Sequence, residues 1–478
     1  MSNSGLLQKQ LFKIVMVLIF ITTAIFVVLR PVDIKGLEII FFLPANFSIA
    51  SLLFGEVFYY MKKSIGLTVL YGLLFLRYIV CPILISLSGT TVPYLNVSSE
   101  AFRWAILMMI LELYTVMLSI KLIWSKKIHE VRVREGKPFK LTWSGLVASV
   151  ILIVILLYRG HLDNVLSHLS VWTNAAISNS DLHTYDFIIF ILLRTFFSIA
   201  VIAWAGRKAS ATTGNVSRTM YTIIALMAAI SNIIFYDYKA RAALVETVIA
   251  TVAVLMMALK KRGKKLYIFM AIIALVVLIG DNFIGGTVGI DIKSADFSSD
   301  IAIEKLSINT ELYTNNVSTL GFAYDQQNNI RQRITFLTLF SDIVNSIQIN
   351  SLPGFRVIPK LFSDIPTTFS MFMSALSGEG YILGNAGWSF YYGGYLFGWM
   401  IDILIHVVFI KAMYHFYRMR KSHVNVGYIY IFIFCEIICS LTLMNNIFIM
   451  MNTLTGFPLY LYVLMKLNDL GNKIKLKK

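Results

Sequence analysis

The chain is organised by uninterrupted apolar runs rather than by alternation. Runs of about 18 to 25 mostly apolar residues recur from end to end, the length at which a helix crosses the hydrocarbon of a bilayer. The roughly ten-residue alternating segments of a membrane barrel do not run through it. The runs predict twelve spans, near 11–29, 37–60, 64–87, 101–124, 142–158, 184–206, 219–236, 242–259, 266–280, 386–410, 427–444 and 447–464. A tight turn at Asn445 and Asn446 divides the last two. The expected fold is an all-α polytopic membrane protein in three parts. Residues 1–280 carry nine spans, 281–385 form one long extracytoplasmic loop, and 386–478 carry three spans and a basic tail.

Composition agrees with that pattern. Hydrophobic residues make up 58% of the 478, charged residues only 14%, and mean hydropathy is +0.74, which excludes a soluble domain, a disordered chain and a collagen-like fibre. Net charge is +17, and its distribution is uneven. One set of loops, with Lys9, Lys62, Lys63 and the tail, holds about 25 Lys and Arg; the opposite set holds about 11, six of them in the long loop. The positive-inside rule places the first set and both termini in the cytoplasm. The basic balance then reads as topology and as contact with anionic lipid heads, not as nucleic-acid binding. Cys81, Cys435 and Cys439 lie in apolar runs and form no metal or disulfide pattern, so packing is their expected role. The first run is long and lacks a small-residue cleavage site, so it reads as a retained span.

The segment 281–385 is the informative departure, with ten acidic and six basic residues. Loops of this length are usually functional, and this one predicts helices of its own. Ile334, Leu337, Phe340, Ile343, Val344 and Ile347 fall on one stripe at helical spacing, which would lie flat on the bilayer or dock on the spans. "SLPGF" and "SDIPTTFS" read as breaks.

Ionisable residues inside spans are costly and generally face a bundle interior. Here they are Glu56, Arg77, Glu112, Arg194, Glu246, Asp402 and Glu436. Arg77 and Glu112 fall at similar depth in neighbouring spans and are expected to pair, either to fix packing or to line a polar cavity. Arg194 has no partner in its own span, which favours a cavity. Glu56 lies near a membrane face and can snorkel.

Several residues carry anion or acid–base chemistry. Arg241 opens the eighth span in "YDYKARAALVE", where a cation opposes the helix dipole. With Lys239 and the free N–H groups of the helix start it can hold a phosphate; a headgroup anchor or a pair with Asp237 is the plainer reading. Arg331 and Arg333, in "NNIRQRITF", can clasp a pyrophosphate between two guanidinium groups, and Arg356 lies nearby in "PGFRVIPK". Glu379, between glycines in "SGEGYILGNAGWSFYYGGYLFGW", can act as general base or simply cap the following helix. Trp388, Tyr391, Tyr392 and Trp399 read as an interfacial belt that could also stack on sugars. His161, His168 and His183 lack metal-ligand spacing, and His161 is a second candidate base. Asn96 and Asn316 stand in sequons on the outer side. No nucleotide-binding motif appears.

Together these features resemble the Wzy-type polymerases, the bacterial oligosaccharide repeat unit polymerases of O-antigen and capsule synthesis. The resemblance lies in the span number, the Arg at a helix start in "KARAALVE", the Arg-bearing long loop and the glycine-rich return "GEGYILGNAGWSFYYGGYLFGW". It implies a membrane-embedded glycosyltransferase bundle of GT-C-like type in the bacterial cytoplasmic membrane. The implied substrate is an oligosaccharide on undecaprenyl pyrophosphate, with a flippase and a chain-length regulator as partners and no metal or cofactor. On that resemblance Arg241 matches the helix-start Arg and Arg331 or Arg333 the loop arginines; Glu379 is a looser match. The rival classes are a lipid-linked oligosaccharide flippase, which needs the spans but not the long loop, and an O-antigen ligase, which shares the donor.

Overall fold

The computed structural model describes residues 3–61, 63–93, 95–125, 137–158, 184–234, 241–259, 299–347, 364–375 and 383–474. Among them every regular element is a helix. Seven helices among the described residues are long and apolar enough to cross a membrane: Ile65–Ser88, Ser99–Ser125, Ile188–Ala211, Asn215–Ile234, Phe397–Ser422, Val426–Leu443 and Ile447–Gly471. Shorter apolar helices run over Lys13–Leu29, Phe42–Leu53, Trp143–Tyr158 and Glu246–Ala258. The chain is a helical, multi-pass membrane protein.

The expected spans 11–29, 142–158 and 242–259 correspond to three of the shorter apolar helices, two more differ in form, and 266–280 lies outside the described residues. The run 37–60 is not one helix. Phe42–Leu53 ends, a turn carries Gly55 and the exposed Glu56, and Val57–Met61 resumes. A helix-weakening glycine beside a charge is the local cause. The run at 386–410 belongs to a longer helix, Asn385–Ser422, kinked at Gly394 (φ 64°), and its crossing stretch is Phe397–Ser422. Only glycine adopts that backbone without strain. Arg420 and Lys421 in its last turn suit the negative end of the helix dipole.

Other breaks have equally local causes. Ser64 caps Ile65–Ser88 by accepting from Leu67 N at 3.3 Å, and Gly89 in the left-handed region ends it. Within that helix Leu76–Val80 forms a π-turn. Pro82 follows it and has no N–H for the Tyr78 carbonyl, so the ladder is already interrupted there. At Asn446 the side-chain oxygen accepts from Phe448 N and Ile449 N, which starts the next helix after the expected turn.

The chain separates into two compact units that do not follow the sequence-order division at 280 and 385. Unit 1 comprises Met1–His129, Asp296–His415 and Glu436–Thr453; unit 2 comprises Glu130–Ala295, Phe416–Cys435 and Leu454–Lys478. In unit 1, Ser99–Ser125 packs against Val317–Asp325 and Phe42–Leu53, and Ser299–Tyr313 packs against Cys81–Ser88. The described residues of the long segment are thus mostly helical and belong to unit 1. In unit 2, Thr184–Ala211 packs along Asn215–Ile234, and Trp143–Tyr158 along Phe457–Ile474. Trp143–Tyr158 is inside-out in the manner of a lipid-facing helix: Val147, Val150, Ile151 and Val154 are exposed, while Gly145 and Ser149 are buried. A Cβ at Gly145 would meet Asn468 Oδ1 at 2.2 Å. Asn468 is fully buried yet satisfied: its Oδ1 accepts from Thr142 N and its Nδ2 donates to Lys140 O, both at 2.9 Å. This is polar adhesion where apolar burial drives little association. Cys81, Cys435 and Cys439 are buried and in no disulfide among the described residues, in keeping with packing.

Candidate functional site

Unit 1 holds two polar centres. The first surrounds Arg331, which closes the short helix Gln327–Arg331. Its guanidinium lies on the backbone of Gly394, where a Cβ would come within 2.8 Å of both Nη atoms. Gly394 therefore serves two needs, the kink and the seat for an arginine. Beside it runs a chain of hydroxyls. Gln327 Nε2 donates to Tyr395 OH (3.3 Å), Tyr395 to Tyr324 (3.0 Å), and Tyr324 to Glu100 Oε1 (2.7 Å). The bond from Tyr395 raises Tyr324 above the ordinary phenol range, with burial and Glu100 adding to it. Tyr324 therefore stays protonated and keeps donating. Trp104 and Phe390 pack on Tyr324 at 5.0 and 5.8 Å.

The helix that follows, Phe336–Ser346, is also inside-out. A capping box of Thr335 and Thr338 starts it. Phe336, Leu337, Phe340 and Ile343 are exposed, whereas Thr338, Ser341, Asp342 and Ser346 are buried. Of the predicted stripe, Leu337, Phe340 and Ile343 lie on the exposed face; Val344 is half-buried, and Ile334 and Ile347 fall outside the helix. The polar face is tied down by Asp342. Its Oδ1 accepts from Thr368 N (3.0 Å), and its Oδ2 accepts from Thr368 Oγ1 (2.6 Å) and Tyr392 OH (2.8 Å). Burial raises the Asp342 carboxyl above its usual range, against those three bonds. An apolar stripe with its polar back anchored fits a helix resting in the bilayer surface. Arg331 and Arg333, both exposed, sit just before it.

The second centre is buried among the spans. Arg77 Nη2 pairs with Glu112 Oε2 at 2.8 Å, as expected from their depth. Glu112 Oε1 lies 3.2 Å from His406 Nε2, and Asp402 Oδ1 lies 3.4 Å from the same nitrogen. His406 Nδ1 meets Thr442 Oγ1 at 2.9 Å, and Asn385 Nδ2 donates to Thr442 O at 2.7 Å. All four charged or ionisable side chains are almost wholly buried. Facing two carboxylate oxygens, Nε2 is a donor. Asn316 Nδ2 donates to the Arg77 carbonyl at 3.0 Å, a carbonyl of the widened π-turn. Glu112, Asp402 and His406 offer ligand atoms within 4.8 Å of one another, a donor set able to hold a cation. The Arg77 guanidinium already supplies positive charge to Glu112, so charge balance favours the ion-pair network.

His406 escaped the sequence reading, although its spacing from Asp402 puts both on one helix face. Asn316 was read as a sequon on the outer side. It is instead fully buried, caps Val317–Asp325 by accepting from Val317 N at 2.8 Å, and is sealed from any glycosylating enzyme. Trp388 and Tyr391, read as interfacial belt, are buried, with Trp388 packed on Phe448 at 4.7 Å. Aromatic residues near a membrane face fill cores as readily as belts.

The remaining candidates are distributed as follows. Arg241 begins the helix Arg241–Ala258, as expected. In unit 2, Arg194 Nε donates to Asn232 Oδ1 at 3.1 Å, and Asn232 Nδ2 donates to Thr251 Oγ1 at 2.9 Å. Arg194 thus finds an amide where the sequence showed no partner. Lys239, Arg356, Glu379 and His161 lie outside the described residues.

Glu311, outside the spans, was also missed. It is fully buried, and its Oε1 accepts from Ser318 N at 2.9 Å and from Ser318 Oγ. Burial pushes its carboxyl up to about 7 from an ordinary 4.5, against the Ser318 bonds. The folded protein therefore holds a proton that the unfolded chain gives up. The associated stability is full below about pH 4.5 and is lost as pH rises through about 7. Melting temperature in nanodiscs should fall between pH 5 and 8, and Glu311→Gln should flatten that fall. An equal fall in the variant would assign it to another group.

Compared with known proteins, the chain matches no family model, no curated protein and no solved structure.

Proposed function

We propose that the protein polymerises oligosaccharide repeat units carried on undecaprenyl pyrophosphate, at the outer face of the bacterial cytoplasmic membrane. The observation that carries this reading is the inside-out helix Phe336–Ser346 directly after Arg331 and Arg333. A lipid-linked pyrophosphate lies at the plane where such a helix rests, and two exposed guanidinium groups there suit it in charge and shape.

The chemistry is a glycosyl transfer. The acceptor hydroxyl oxygen bonds to the anomeric carbon of the donor, and the bond from that carbon to the pyrophosphate oxygen breaks. The hydroxyl proton passes to a general base, assigned to the Glu379 carboxylate with the His161 imidazole as the second choice. Negative charge grows on the leaving pyrophosphate, and guanidinium donors stabilise it, with Arg331 and Arg333 of unit 1 and Arg241 of unit 2 as separate candidates. Lys239 and Arg194 accompany Arg241 as candidates, and Arg356 accompanies Arg331 and Arg333. A ligase would use the same residues on a different acceptor.

The buried network of Arg77, Glu112, Asp402 and His406 supports a second reading, a lipid-linked oligosaccharide flippase, since charges within spans often mark a translocation path. Surface glycan from a deletion strain, run beside its parent, separates the readings. A polymerase leaves single repeat units on the outer face and no ladder. Accumulation of single units on the inner leaflet would instead establish the flippase.

A further inference from the structure

We propose that Tyr395 and Trp104, framed by Glu100, Gln327 and Arg331, form a subsite for a phosphorylated pyranose on the surface of unit 1. A pyranose has an apolar C–H face and a rim of hydroxyls, and a site for it needs an accessible aromatic face with polar side chains around its edge. Tyr395 is 57% exposed, and Trp104 is half-buried. Behind them stands a rigid wall: Phe390 lies 4.6 Å from Trp104 and 5.2 Å from Tyr395, nearly fully buried. The rings are thus held, and little ordering is needed on binding.

Polar side chains stand along the rim. Glu100 can accept from sugar hydroxyls, and Gln327 can both donate and accept. Asp325, which accepts from Ser98 N and Ser98 Oγ at 2.7 Å each, pins the loop that leads into Glu100. Arg331, seated on Gly394 one residue before Tyr395, supplies a cation at the edge of the ring. An anionic group joined to the sugar would reach it while the ring stacks.

An interfacial belt tyrosine is the competing explanation. Such a residue turns its hydroxyl to water and its ring to lipid. Here the Tyr395 hydroxyl is turned inward to Tyr324 and accepts from the Gln327 amide, with the Glu100 carboxylate next along the chain of hydroxyls. The subsite rests on the polymerase reading for its natural ligand, a sugar on a lipid pyrophosphate, but its chemistry would serve a free sugar phosphate equally.

The test uses the full protein in nanodiscs and saturation-transfer NMR. The probes are inorganic phosphate, methyl α-glucoside, the 1-phosphates of glucose, galactose and N-acetylglucosamine, and glucose linked to farnesyl pyrophosphate. At least one sugar 1-phosphate should show saturation on its ring C–H protons, above that of methyl glucoside. Tyr395→Ala should reduce it about five-fold, and Arg331→Ala should bring sugar phosphate down to the level of methyl glucoside. Tyr395→Phe keeps the ring and should retain most of the signal, which guards against a misfolded alanine variant. Stronger saturation of the farnesyl-linked sugar would identify a lipid-linked source; equal saturation would identify a free sugar phosphate. Absence of ring saturation for the whole panel, or equal saturation in Tyr395→Ala, overturns the subsite. These readouts involve no polymerisation. Binding with an intact ladder in the deletion strain would refute only the polymerase, and a lost ladder without binding would refute only the subsite.

Discussion

Replacing Arg77 with Leu should destabilise the protein by about 3 to 5 kcal/mol, the cost of leaving one partner of a buried pair alone. Arg77 is about 1% exposed and holds Glu112 at 2.8 Å. Without it, Glu112 and Asp402 would share a single imidazole at 3.2 and 3.4 Å. Both carboxylates are almost wholly buried. Glu112→Leu alone should be similarly harmful, because it strands the guanidinium. The double variant Arg77→Leu with Glu112→Leu should recover much of the loss, since apolar side chains replace both charges at once. Melting of the purified variants in one detergent measures all three. If the double variant lost as much as the two single variants summed, the pair would not be what makes either residue necessary. The network would then be carrying charge for another purpose, and Asp402→Asn and His406→Gln would be the variants that report it.

That pair was legible in the sequence because its cause is simple. Arg77 and Glu112 each interrupt an apolar run, and an interruption at mid-depth must find its opposite. Seven crossing helices among the described residues were legible from run length, whereas the run 37–60 shows that length alone does not decide whether a helix is continuous. His406 and Thr442 were not legible. A histidine and a threonine in an apolar run cost little, and only the fold brings His406 against Glu112, 294 positions away. The stripe on Phe336–Ser346 shows a different limit. Periodicity reveals that a helix has an apolar face, but in a membrane protein that face can point to protein or to lipid. Deciding between them required Asp342 to be seen bonded to Thr368 and Tyr392. Gly394 illustrates a third limit. In "YYGGYLFGW" it reads as one glycine among several, and its positive φ and the arginine seated on it exist only in three dimensions.

The largest functional effect should come from the arginines assigned to the pyrophosphate. Arg241→Ala should abolish polymer while protein level stays normal. Arg241 begins a helix where its charge opposes the dipole, so removing it should not weaken that helix. Arg241→Lys should fail as well, because a point charge cannot reproduce the paired donors of a guanidinium on two phosphate oxygens. Arg331→Ala should shorten or abolish the ladder without loss of protein, since the side chain is exposed and no buried partner is stranded. Gly394→Ala should act in the same direction by a different route. A methyl group there would displace the Arg331 guanidinium, which lies 2.8 Å from the position it would take. Four strains, each with ladder length and membrane protein level measured side by side, test the assignment. Normal ladders in both Arg241→Ala and Arg331→Ala would end the polymerase reading. A normal ladder in Arg331→Ala alone would move the pyrophosphate away from Gly394 and leave Arg241 to hold it. Loss in Gly394→Ala but not in Arg331→Ala would show that the kink, rather than the arginine it seats, is what the reaction needs.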